Sequence, residues 1–241
     1  METAVGLPSW SDRSRQIASR MHTILVVAIL AAWTLLGSME AEQMRRALNP
    51  DRLRFYLLTL SFEWLLAGFV LVGVRRFGAQ VGDVLGQRWG SPLQVLKDIG
   101  IAAAFWLVSS GLLVLLARLL KTGQQATARR VEFLLPHGGL EIALWVALSI
   151  TAGICEEAIF RGYLQRQFIS LTRNVPAGVL LSAMAFGAAH AYQGFRMVIL
   201  IALYGAMFGV LAQWRGSVRP GMMAHAWQDS LSGVVGAVTR H

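Results

Sequence analysis

Residues 140–161 read LEIALWVALSITAGICEEAIFR. An apolar run over 140–154 leads, with no proline to stop it, directly into Glu156 and Glu157, and Arg161 follows one helical turn later. An ionised side chain at bilayer depth costs about 2.5 kcal/mol or more unless it faces protein or water. A run this apolar that ends in three charges therefore reads as a membrane helix with its polar end inside a protein interior. Outward from this stretch the pattern repeats. Apolar runs at 21–37, 53–74, 99–117, 176–191, 197–214 and 220–238 each approach the roughly 20 residues a helix needs to cross a bilayer. The expected fold is all-α, a polytopic transmembrane helical bundle of about seven spans. Residues 1–139 are a polar tail and three transmembrane helices, and residues 140–238 are a four-helix core.

Composition supports this reading. Of 241 residues, 55% are hydrophobic and 15% charged, well below the charge a water-facing surface of this size carries. The net charge of +9 would point to nucleic acid in a soluble domain. Here the arginines sit at the ends of apolar runs, as at Arg75–Arg76 and Arg129–Arg130, where they meet lipid phosphates. The bilayer is thus the partner, and nucleic acid is excluded. The single cysteine, Cys155, excludes an intrachain disulfide and a cysteine-based zinc cluster. The run at 21–37 has the length of a signal peptide, but with further spans behind it an uncleaved first helix is the reading adopted. Glycines and Pro92 mark 75–98 as an irregular or interfacial loop, and 118–139 resembles it. There is no internal repeat of the kind many transporters show. Basic residues divide almost evenly between the two sides, giving a cytoplasmic N-terminus only a slight preference.

The last 100 residues place six ionisable groups in or beside apolar helices: Glu156, Glu157, Arg161, His190, His225 and Asp229. Glu157–Arg161 and His225–Asp229 are i,i+4 pairs that share a helix face, and Phe186–His190 repeats the interval. Three helices thus offer polar groups to one cavity. A buried glutamate can take a proton from water, and a histidine can hold that water, donate to an oxyanion or bind metal. Two histidines with a carboxylate could hold a catalytic zinc, although H-E-x-x-H is absent. Glu63, between Phe62 and Trp64, is a weaker candidate. His22, His137 and His241 lie near helix ends or termini and carry no signal.

Glu156-Glu157-x-x-x-Arg161, Phe186-x-x-x-His190 and His225-x-x-x-Asp229, in this order, resemble the E-E-x-x-x-R, F-x-x-x-H and H-x-x-x-N motifs of the CPBP family, the CAAX proteases and bacteriocin-processing enzymes. The resemblance covers about 140–238. It implies an intramembrane endopeptidase in which Glu156 activates water with help from His190. It also implies that His225 and residue 229 stabilise the oxyanion, while Glu157 and Arg161 form a supporting ion pair. The family has been called metalloprotease-like, yet the glutamate mechanism requires no metal. No cofactor is the reading adopted; the alternative is zinc or another divalent ion on His190, His225 and Glu156.

This chain departs from the family at 229, where Asp replaces Asn. An ionised carboxylate only accepts hydrogen bonds, so Asp229 must be protonated, orient His225 or bind metal.

Three functional classes follow. The first is an intramembrane peptidase acting on a membrane-associated polypeptide, in a multi-pass protein of the cell (inner) membrane. The second is a catalytically silent scaffold or immunity protein. The third is a small proton-coupled carrier.

Overall fold

The computed structural model describes residues 15–86, 88–119 and 131–238. The start of the N-terminal tail with Arg13, residues 120–130 of the 118–139 loop with the Arg129–Arg130 pair, and His241 lie outside the described residues. Among the described residues the chain is α-helical, and its one β-type contact is an isolated bridge between Gly86 and Ser217.

The helices are α1 (Arg20–Arg46), α2 (Arg52–Arg76), the short α3 (Val81–Leu85), α4 (Pro92–Leu119), α5 (Gly139–Thr172), α6 (Val175–Ala189), α7 (Phe195–Arg215) and α8 (Arg219–Val238). All seven apolar runs lie in helices, so the polytopic all-α architecture stands. Five helices, α1, α2, α4, α5 and α7, are long and apolar enough to cross a membrane. The expectation of about seven full spans needs adjustment at α8, which falls outside that set, and at α6. Its 15 residues extend about 22 Å, short of a hydrocarbon core of about 30 Å. In the 75–98 loop, α3 and the first turns of α4 replace part of the expected irregular chain.

Many large apolar side chains on these helices point outward, among them Leu35, Leu65, Val108 and Trp214. On a soluble protein such faces would demand a partner; on a membrane bundle they face lipid.

The sharp returns have local causes. Arg173 closes α5 in the left-handed conformation (φ 53°), and Asn174 caps α6 by accepting from the Ala177 amide at 2.9 Å. Pro176 occupies the first turn of α6, where its missing N–H costs nothing.

α5 is the axis of the bundle. Its first half packs on α2 and α8. From Glu157 to Leu164 it widens into a π-helix whose eight residues are all buried. Such insertions often accompany functional sites. Close backbone approach sets the spacing: a Cβ on Gly153 would lie 2.6 Å from the Met222 carbonyl on α8. A Cβ on Gly187 of α6 would lie 2.6 Å from the Val198 carbonyl on α7. Small residues permit helix contacts of this kind in membranes.

α1 is bonded into the same bundle. Gln167 accepts from the Ile17 amide at 2.9 Å and donates to Thr23 at 2.6 Å, and the ring of His22 lies 2.7 Å from the Tyr163 hydroxyl.

Candidate active site

Helix periodicity places Glu156 and Glu157 on different sides of α5, and the two carboxylates have different surroundings. Glu157 is 1% exposed, and its Oε1 accepts from Arg161 Nη1 at 2.8 Å. Arg161, equally buried, also donates to the Gly205 carbonyl on α7 and lies 4.1 Å over the ring of Phe186. The i,i+4 pair expected from the sequence is formed. Because it is buried, losing either partner would strand a charge.

His225 links the two acids. Its Nδ1 lies 3.1 Å from Glu157 Oε1. With Arg161 holding Glu157 as the carboxylate, Nδ1 is the donor. The other nitrogen, Nε2, faces Glu156 Oε2 at 3.6 Å and Asp229 Oδ2 at 3.4 Å. Asp229 is therefore in contact with the imidazole one turn before it. Its own backbone carbonyl accepts from Trp145 Nε1 at 2.8 Å, which ties α8 to α5 beside the site.

His190 caps the C-terminus of α6. Its Nδ1 lies 2.9 Å from the Phe186 carbonyl, an acceptor, so the proton is on Nδ1 and Nε2 of the neutral ring carries the lone pair. Phe186, expected as packing, is buried and does more than fill space. Its ring contacts His190, His225 and Phe160 edge-on, with centroids 4.8, 5.9 and 5.1 Å away. One side chain thus positions both histidines and the arginine.

Glu156, His190 and Asp229 line a cavity of about 190 Å³ together with Glu63 and Tyr192. Its outer wall includes the stacked rings of Trp33 on α1 and Phe62 on α2, 3.8 Å apart. Glu63 stands out far more in the structure than in the sequence. It is buried, it comes from α2, and its Oε2 has no hydrogen-bond partner among the described residues. Its signal was an acid in the middle of an apolar run, with no motif to connect it to the later helices. Cys155, beside these acids, is a buried filler of the core.

Among the described residues no three His, Cys, Asp or Glu side chains are disposed to hold an ion.

No curated protein and no solved structure matches this chain. Residues 138–231, which hold Glu156, Glu157, Arg161, His190, His225 and Asp229, match the family model described as type II CAAX prenyl endopeptidase Rce1-like, in line with the CAAX-protease resemblance of the sequence motifs.

Proposed function

We propose that this protein is a glutamate-dependent intramembrane endopeptidase. The observation that carries the reading is the placement of Glu156 on a buried cavity shared with His190, 3.6 Å from His225. Glu156 takes a proton from a water held between its carboxylate and His190 Nε2. The water oxygen bonds to the substrate carbonyl carbon, and the carbonyl oxygen becomes the oxyanion. His225 Nε2–H is the donor best placed to meet that charge, with Nδ1 fixed by Glu157. Collapse of the tetrahedral intermediate breaks the C–N bond, and Glu156 returns its proton to the leaving nitrogen. Preorganised donors of this kind act strongly in a site that excludes water.

Of the three roles open to Asp229, its 3.4 Å contact with His225 favours orienting the ring. Oxyanion stabilisation then belongs to His225, and Asp229 is a positioning residue. A zinc held by His190, His225 and Glu156 would require these side chains to converge on one point, and their arrangement favours the metal-free route.

The substrate is a membrane-associated polypeptide. The family description points first to prenylated C-terminal tails, and leader peptides or membrane-anchored tails fit the same chemistry. The chain would act in the cell membrane, the inner one where there are two.

The test is cleavage by the purified, detergent-reconstituted chain of three peptides: a farnesylated CAAX peptide, a bacteriocin-type leader and an anchored tail. Glu156→Gln serves as the control. Cleavage of any of them by the wild type alone supports the proposal. Cleavage that persists unchanged in Glu156→Gln sinks the mechanism, and no cleavage of any peptide by either protein sinks the peptidase reading in favour of a silent scaffold.

A further inference from the structure

A second, larger cavity shares no lining residue with the site on α5. It has a volume of about 1130 Å³ and sits where α2 and α7 end and where α4 and α8 begin, which is one face of the bundle. Its lining includes Arg75, Arg88, Arg215 and Arg219 against a single carboxylate, Asp98. That carboxylate is already committed: it accepts from Arg215 Nε at 2.7 Å and from Trp89 Nε1 at 2.8 Å. Among the described residues neither Arg75 nor Arg88 has a carboxylate within ion-pair distance.

The cleft is built in advance. Gly86, at φ +86°, lies so close to Ser217 that a Cβ there would be 2.7 Å from its Cα. The Ser217 hydroxyl donates to the Leu85 carbonyl at 3.1 Å, and the Gly90 amide donates to Gln94 at 2.7 Å. The segment bearing Arg88 and Trp89 is thereby pinned on both sides, with Arg219 stacked 5.0 Å over the Trp89 ring.

A groove of about 700 Å³ continues from the cleft, sharing Gln94 and Arg215 with it. It passes Lys97 and then follows Gly100, Ile101 and Ala104 down α4 into the apolar span, with Trp214 on the other wall. Gly100 leaves it open, since a Cβ there would meet nothing within 4 Å.

We infer that this cleft and groove together bind an anionic phospholipid, with the phosphate-bearing headgroup among Arg75, Arg88 and Arg215 and one acyl chain along Gly100, Ile101 and Ala104. A basic pocket between membrane helices at the interface is the expected receptor for such a headgroup. The groove distinguishes a lipid from free phosphate, because a free anion has no use for an apolar channel. The choice of face follows as well: the leaflet rich in anionic lipid is the one this end of the bundle occupies.

The test uses the full chain in nanodiscs made from equal parts phosphatidylglycerol and phosphatidylcholine, extracted into mild detergent and examined by native mass spectrometry. Wild type should retain phosphatidylglycerol in preference to phosphatidylcholine. In Arg75→Gln/Arg88→Gln, whose parent side chains are exposed, that preference should fall on the order of tenfold. Arg76→Gln, outside the cleft, should leave it unchanged. Gly100→Leu, filling the groove without touching the arginines, should lower retention of the lipid while inorganic phosphate binding stays as it was. Equal retention of both lipids, or a preference indifferent to the double substitution, would overturn the inference. Adducts of inorganic phosphate that compete fully with phosphatidylglycerol, with no effect of Gly100→Leu, would overturn the lipid assignment in favour of a free anion. None of these readouts depends on peptidase activity.

Discussion

Gly153→Ala should separate the two sides of the candidate active site. Glycine 153 sits on α5 one turn before Glu156, and it faces the α8 backbone next to His225. A methyl group there would stand 2.6 Å from the Met222 carbonyl oxygen and 2.9 Å from the Ala226 amide nitrogen. Both obstacles are backbone, so no side chain can swing aside, and the helices themselves must move. Reaching even a tight ordinary contact of 3.4 Å requires a displacement of about 0.8 Å. Directed along the helix–helix axis, that shift would carry the 3.6 Å Glu156–His225 separation past 4 Å. Overpacking of this kind typically costs about 1–3 kcal/mol in stability. A misplacement near 1 Å costs catalysis up to about a hundredfold. The assay is initial-rate cleavage of an internally quenched farnesylated CAAX peptide, with a thermal unfolding midpoint measured on the same preparation. Gly68→Ala, at a position where a Cβ meets nothing within 4 Å, is the matched control and should be silent in both measurements. A Gly153→Ala protein with wild-type cleavage and an unchanged midpoint would refute the argument that this close approach holds Glu156 against His225.

Further outcomes test the chemistry. Glu156→Gln should stay folded and lose about 10²–10⁴ in cleavage rate, because Gln keeps the size but cannot take the proton; retained turnover would remove Glu156 as the base. Arg161→Ala strands Glu157 in a buried site, a loss of about 3–5 kcal/mol, so folded yield should fall along with activity. Normal yield and full turnover in that variant would contradict the structural role of the pair. Exhaustive chelation should leave wild-type cleavage intact, and Asp229→Asn should keep or raise it, since an amide can still hold the His225 ring and removes a negative charge. Activity lost to chelator and restored by zinc, with an inactive Asp229→Asn protein, would instead establish a metal on His190, His225 and a carboxylate.

The amino-acid pattern alone identifies the solvent and therefore the architecture. Apolar runs of bilayer length bounded by arginines leave the backbone no choice but helix, because hydrocarbon cannot satisfy its polar groups. It also determined that Glu156, His190, His225 and Asp229 belong together, since acids and imidazoles at that depth must share an interior. The Glu157–Arg161 pair was legible for a simpler reason: i,i+4 spacing on one helix is local geometry.

Tertiary structure decided everything that depends on how one helix meets another. Only packing could show that His225 bonds the supporting Glu157 as well as facing Glu156, or that Asp229 reaches the imidazole. The same holds for Phe186, which reads as filler in the sequence and contacts His190, His225 and Arg161 together in the fold. Glu63 is the clearest case. It lies 93 positions before Glu156, and its place in the same cavity depends on the packing of α2 against α5. The basic cleft likewise gathers Arg75, Arg88, Arg215 and Arg219 from widely separated segments. Sequence periodicity reports which face a residue occupies on its own helix. Which helices lie against that face is set by long-range contacts, such as the backbone approach at Gly153, that no local pattern encodes.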